Sequence, residues 1–277
     1  MAKKRPSAAP APPRPTNTVA AARGGDRRKS GASSRNPDAV REFVKSVGVM
    51  LLIFFVVRAL LVEAFRIPSG SMVPTLLVGD WLFVNKLVYG PHVPFTDANL
   101  PGYADPRRGE VVVFESPYQA DEAAVGADPQ PTLVKRLVGV GGDTIYMRAG
   151  QLFINGIAQR QGYAAASPSP QGSAPDEVSP LFDWQRTYAL ASTRFGPAPA
   201  QPTHDDWGPL LIPPQHYMML GDNRYNSKDS RYWGLVPRGN IRGRPLFVYY
   251  SYDTEEGVPF LRAFTEVRWG RIGHRIQ

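Results

Sequence analysis

Polar and apolar positions divide this chain into three unlike regimes. Residues 1 to about 36 are mostly Ala, Pro, Ser, Arg and Gly with almost no aliphatic clusters. Such a stretch cannot bury enough apolar surface to offset its ordering entropy, and it reads as a disordered tail. From Val44 to Val62 the pattern inverts, with only Lys45, Ser46, Gly48 and Arg58 among apolar residues. Beyond residue 66 the pattern changes again, to short Val-, Phe- and Tyr-rich runs bounded by Gly, Pro or Asp.

The second regime opens on Asn36-Pro37-Asp38, a helix start with Asn36 as cap and Pro37 in the first turn. Its stretch free of polar side chains, Val47 to Val57, is eleven residues long, shorter than the ~18–20 that make a membrane span obvious. A buried soluble helix fits poorly, because the segment is apolar all round. A cleavable signal segment would use Val62-Glu63-Ala64 as its small-residue site. Its basic flank is too long for that, however, and cleavage would sever the following loop from its helix. The reading adopted is a single transmembrane helix over residues 37–66, ended by Pro68, with Lys45 and Arg58 snorkelling to opposite headgroup layers.

In the third regime, Trp81–Tyr89, Val111–Phe114, Leu133–Val140, Thr144–Met147, Gln151–Asn155 and Pro245–Tyr252 read as strands, and Ala149-Gly150 as a hairpin turn. No helical pattern of convincing length follows residue 66, so this part is mostly β. Residues 157–209, with low-complexity stretches at 164–180 and 195–202, read as an inserted subdomain. Phe182 and Trp184 within it suit a local core cluster better than a lipid contact. The expected β-rich domain is then 67–156 together with 210–277.

Charge sharpens the topology. The chain carries +8 overall, and residues 1–45 hold eleven Lys or Arg against three acids, 11 − 3 = +8, leaving 8 − 8 = 0 for the remainder. The basicity therefore belongs to the tail, which argues against a nucleic-acid groove and suits a cytoplasmic flank by the positive-inside rule. Everything from about Phe65 would then lie on the outer face. There is no cysteine, which excludes disulfides, a thiol nucleophile and Cys-ligated zinc. The four histidines show no ligand spacing, so no metal is expected.

Three stretches could carry chemistry. Ile67-Pro68-Ser69-Gly70-Ser71-Met72-Val73-Pro74-Thr75-Leu76 places two hydroxyls two residues apart in a turn stiffened by prolines. A serine there is a nucleophile only if something takes its proton. Lys135-Arg136 stands inside an apolar strand, where adjacent side chains point to opposite faces. A buried lysine loses basicity, and lowering it from ~10.4 to near 8 needs roughly 3 kcal/mol, after which its neutral amine can accept a serine proton. A solvated edge-strand lysine is the alternative. The third stretch, Gly221 to Gly234, is either an exposed loop laced with ion pairs or a polar support beside a site. Val138-Gly139-Val140-Gly141-Gly142-Asp143 has no helix after it and is discounted as a phosphate turn.

Together, SGSMVPTL at 69–76, KR at 135–136 with VGVGGD at 138–143, and GDNRYNSKDSRYWG at 221–234 resemble the ordered motifs of bacterial type I signal peptidase, a Ser–Lys dyad serine protease. The resemblance spans about residues 44–253. It implies Ser71 as nucleophile, Lys135 as general base, and Ser69 with the Ser71 N–H as oxyanion donors. It further implies Ser227 as hydrogen-bond partner of the lysine, Asp229, Arg231, Asp222 and Arg136 as supporting ion pairs, and Met72 near the substrate cleft. No cofactor or metal is implied. The expected partners are preprotein signal peptides, cut after small residues, and the lipid bilayer. The expected place is the bacterial inner membrane, with the N-terminus cytoplasmic and the catalytic domain on the periplasmic face. Tyr225 stands where the family usually has Asp, and Gly141 where Pro is common. A peptidase specialised for one conjugation or pilus substrate, and an inactive membrane-tethered β scaffold retaining the motifs, are the competing readings.

Overall fold

The computed structural model describes residues 37–93, 96, 98–160, 162, 179–190, 194–253 and 265–276. The tail over 1–36, Asn36 as a cap, and most of the low-complexity stretch over 164–180 lie outside the described residues. Two units are present, Met1–Val47 and Gly48–Gln277.

Helix α1 runs Pro37–Leu60, with proline at its first position and Arg58 in its last turn, where a cation complements the carbonyl end of the helix. Its large apolar side chains from Val49 to Val57 are all exposed, at 40–63%. Among the described residues, no helix is long and apolar enough to cross a membrane by itself. The helix is also shorter than the expected 37–66. It stops at Leu60, and Val62–Arg66 forms strand β1 instead. The cause is a partner: β1 pairs antiparallel with β2 (Asp80–Asn85) from Val62↔Asn85 to Arg66↔Trp81, and that ladder outcompetes another turn of helix.

The remaining strands are β3 (Val111–Glu115), β4 (Thr132–Val140), β5 (Thr144–Arg148), β6 (Gln151–Ile154), β7 (Ile157–Ala158), β8 (Trp207–Leu211), β9 (His216–Leu220), β10 (Val236–Pro237) and β11 (Ile241–Ser251). They form a seven-stranded sheet, β1-β2-β11-β3-β4-β9-β10, and a four-stranded sheet, β7-β6-β5-β8. Two helices, α2 (Ala120–Ala124) and α3 (Ser230–Trp233), are single turns in connections. The fold is mostly β, as the strand runs indicate. The segment 157–209 begins in β7 and reaches into β8, so both of its ends are edges of the smaller sheet.

The large sheet is apolar on both faces, and strand alternation explains how. On β9, Met218 and Leu220 join Val138, Ile145, Leu152, Ile154, Trp207 and Leu210 in the core shared with the smaller sheet. Tyr217 and Met219 point the other way, into a core with Val112, Phe114, Leu137, Trp233 and Ile241. A third cluster, Ile67, Met72, Leu76, Leu82, Val111, Val248 and Ile276, underlies the serine loop. Burying side chains of this size stabilises by ~1.5–3 kcal/mol each, so the strands flanking the serine loop have little freedom to shift. Phe182 is buried and packs against Tyr232 at 5.1 Å, which is the core-cluster outcome.

Candidate active site

Ser71 lies in a 3-10 turn, Gly70–Met72, joined to β1 through Ile67, Pro68 and Ser69. Met72 is 1% exposed and anchors this turn in the apolar cluster beneath it. The carbonyls of the turn are held from the 221–234 loop: Asn223 N donates to Ser71 O at 3.1 Å, and Asn223 Nδ2 to Gly70 O at 3.2 Å. Ser69 Oγ lies 3.5 Å from Ser71 Oγ, on the exposed side.

β4 delivers the lysine. Its alternation sends Lys135 and Arg136 to different partners. Lys135 Nζ meets Ser71 Oγ at 2.5 Å, and the residue is 3% exposed. Burial pushes the ammonium down to about 8; Asp229 and Asp222 pull it up, and Arg231 pushes it further down. In the charged form Nζ donates to Oγ. Once neutral, its lone pair accepts from the serine hydroxyl along the same line.

Arg136 makes a bidentate pair with Asp222, both contacts 2.7 Å, and donates to Gly109 O. Thr75 Oγ1 donates to the same carboxylate at 2.5 Å, tying the serine loop to β4 and to the 221–234 loop at one point. Arg271 adds a further hold, donating to Thr75 O at 3.0 Å and pairing with the buried Asp80. Thr75, Asn223 and Arg271 were not picked out by sequence. The first two lie inside recognised motifs, and Arg271 is distant in the chain with no local signal.

Asp229 and Arg231 are both 0% exposed and paired at 2.8 Å. Burial alone would raise the Asp229 carboxyl, but Arg231, with the Gly221 N–H, outweighs it and holds the carboxyl below its usual range. Asp229 also caps α3, accepting from Arg231 N. Ser227 behaves differently from expectation. Its Oγ is buried and makes no hydrogen bond, while Lys135 Nζ is engaged by Ser71. Gly221 is the point of closest approach: an added Cβ there would sit 2.2 Å from Ser227 Oγ and 2.5 Å from Ser71 O. The loop thus packs directly on the serine turn.

At the two departures, a Cβ added at Gly141 would sit 3.0 Å from Pro213 O and from Pro214 Cα, and the Tyr225 ring lies 6.3 Å from that of His204. The structure therefore brings together Ser69, Ser71, Lys135, Arg136, Asp222, Ser227, Asp229 and Arg231 around one serine. Among the described residues, no cluster of His, Asp or Glu could hold a metal ion.

A family model described as signal peptidase, peptidase S26, matches residues 40–250. This chain belongs to that family. Signal peptidase I of Pseudomonas fluorescens is 38% identical over 222 residues, covering 76% of this chain and 72% of the relative. Signal peptidase I of Pseudomonas aeruginosa is 36% identical with the same coverage, and that of Haemophilus influenzae is 30% identical over 82% of this chain and 76% of the relative. All three serine, lysine and loop motifs lie inside the family match.

Proposed function

We propose that Ser71 and Lys135 perform the signal-peptide cleavage of this serine endopeptidase family, with α1 as the membrane anchor. The observation that carries the reading is the 2.5 Å contact between Lys135 Nζ and Ser71 Oγ, made by a lysine that burial lowers to about 8. Such an amine is neutral often enough near neutrality to act as a base.

Neutral Lys135 takes the Ser71 proton as Oγ bonds to the scissile carbonyl carbon. Ser69 Oγ and the Ser71 N–H stabilise the resulting oxyanion. The tetrahedral species collapses with loss of the C–N bond, and the leaving amine takes the proton from Lys135. An ester on Ser71 remains. Water then attacks it, giving its proton to Lys135, and the ester bond breaks to return the hydroxyl. Arg136–Asp222 and Asp229–Arg231 keep the three chain segments in register, Ser227 packs against Gly221 behind the serine turn, and Met72 forms the apolar floor next to the cleft. The reaction needs no cofactor.

The anchor reading rests on the exposed apolar surface of α1. Its eleven-residue core from Val47 to Val57 spans roughly 16 Å at 1.5 Å per residue, about half of a ~30 Å hydrocarbon layer. Lys45 and Arg58 must therefore snorkel for the helix to span. With the basic tail cytoplasmic, the site faces the periplasm, where preproteins held in the same bilayer present their cleavage sites at raised effective concentration.

The test is a synthetic peptide with Ala-x-Ala before the scissile bond, offered to purified protein in detergent. Wild type should cut after the second Ala, and Lys135→Ala should not. Its kcat/KM should rise with pH through about 8, because the reactive form is the deprotonated amine. Cleavage by both proteins removes lysine as the base. A peptide and a full preprotein in lipid both left intact by wild type would favour the scaffold.

A further inference from the structure

Residues 116–131, which join β3 to β4, form an excursion held at two places. At its neck Ser116 N donates to Pro131 O, Gln119 N to Pro129 O, and the buried Gln119 Nε2 to Ser116 Oγ. Further out, α2 presents Asp121 and Glu122, and Lys228 Nζ donates to both, at 2.5 and 2.6 Å. Burial pushes the Lys228 ammonium down, and these two carboxylates outweigh it and hold it above its ordinary range.

Lys228 lies between Ser227 and Asp229. The three residues lie outside any helix or strand, and Asp229 itself is extended (φ −144, ψ −161). Ser227 and Asp229 are buried, and Asp229 Oδ2 accepts from Gly221 N, whereas Lys228 is partly exposed and turns to α2. Twisting this stretch to release Lys228 would move both buried neighbours. The side-chain contacts of Lys228 run to α2, and its link to the site is the backbone it shares with Ser227 and Asp229.

We propose that the clasp between Lys228 and the Asp121–Glu122 pair is a positioning device for the reaction, fixing the face that Ser227–Asp229 presents to Ser71 and Lys135. This rests on the Ser–Lys reading above. All three are positioning residues, and the excursion carrying α2 becomes a working part of the site.

The full chain in detergent serves for the test, read by peptide cleavage and by amide hydrogen exchange over residues 225–230. Lys228→Ala should lower kcat about fivefold, leave KM within about twofold and leave the pH midpoint in place, the size an exposed ion pair can command. Asp121→Asn with Glu122→Gln should do the same. Combining Lys228→Glu with Asp121→Lys and Glu122→Lys should restore at least half of the lost rate, which loss of packing would not. Exchange should quicken by a similar factor in Lys228→Ala and slow again in the swapped protein. Unchanged kcat and exchange, a change confined to KM, or a loss that the swap leaves in place each overturn the proposal. Should wild type cut nothing, the Ser–Lys reading fails separately. Exchange then decides alone whether the clasp holds the loop: quickened and rescued supports it, unchanged rejects it.

Discussion

The inner and outer faces of the 221–234 loop are both held by ion pairs, yet the two sets obey different physics. Inside, Asp229 and Arg231 are fully buried, and Arg136 and Asp222 nearly so. Outside, Lys228, Asp121 and Glu122 keep about a third of their side-chain surface in water. A buried pair is not by itself strong evidence of stability, since desolvation offsets the attraction, but losing one member leaves an uncompensated charge. An exposed pair can lose a member and let solvent take its place. The inner set is thus all-or-nothing, while the outer set is adjustable.

The largest test of that contrast is Asp229→Ala. It strands Arg231 and removes the acceptor of the Gly221 N–H, and urea unfolding should show a loss of ~3–5 kcal/mol. A loss under about 1 kcal/mol would mean that water reaches the pair and the distinction between faces is false.

Lys135→Met sharpens it in the opposite direction, because the buried lysine is a burden to the fold. Below about 8 both folded and unfolded chains hold this proton, and the fold bears the whole cost of a charge it solvates poorly. Between that value and the ordinary 10.5 the unfolded chain alone stays protonated, so native stability gains as pH rises. The inactive Lys135→Met protein should therefore be more stable than wild type near pH 7, by up to roughly 3 kcal/mol, with the advantage shrinking toward pH 10. Equal unfolding curves at both pH values would show that the amine is not desolvated.

On the outer face, Lys228→Ala should cost no more than about 1 kcal/mol of stability, and the difference should fade in about 0.5 M salt. A larger, salt-resistant loss would place this lysine with the inner set.

Much of the site was legible because motif order and strand alternation are local properties. Lys135 inside an apolar strand offered a desolvated amine as one of two readings, the other a solvated edge-strand lysine, and the carboxylates and guanidiniums at 222, 229, 231 and 136 needed only partners. What sequence could not show was which groups meet. Thr75 joining Asp222, and Arg271 reaching Thr75 O from 196 residues away, depend on folding rather than pattern. Ser227 shows the same limit: its hydroxyl packs against Gly221 and makes no hydrogen bond, which no pattern in the chain foretells. In the fold, β8 and β9 went unread. WGPLL contains a proline and HYMML two methionines, and neither matches the β-branched, aromatic composition that marks strands. Val62–Arg66 was read as helix because its apolar residues continue those before them, and only pairing with β2 reveals a strand.

That strand begins one residue after α1 ends. Leu61, the residue between, is itself clamped, its N–H donating to Val57 O and its carbonyl accepting from Lys86 N. A flexible linker would let a domain wander over roughly 5–6 Å times the square root of its length in residues. Here there is no leash to pay out. On the proposed topology, the last turn of α1 passes straight into the strand that precedes the serine loop, so a change at Leu61 is felt on both sides of that joint.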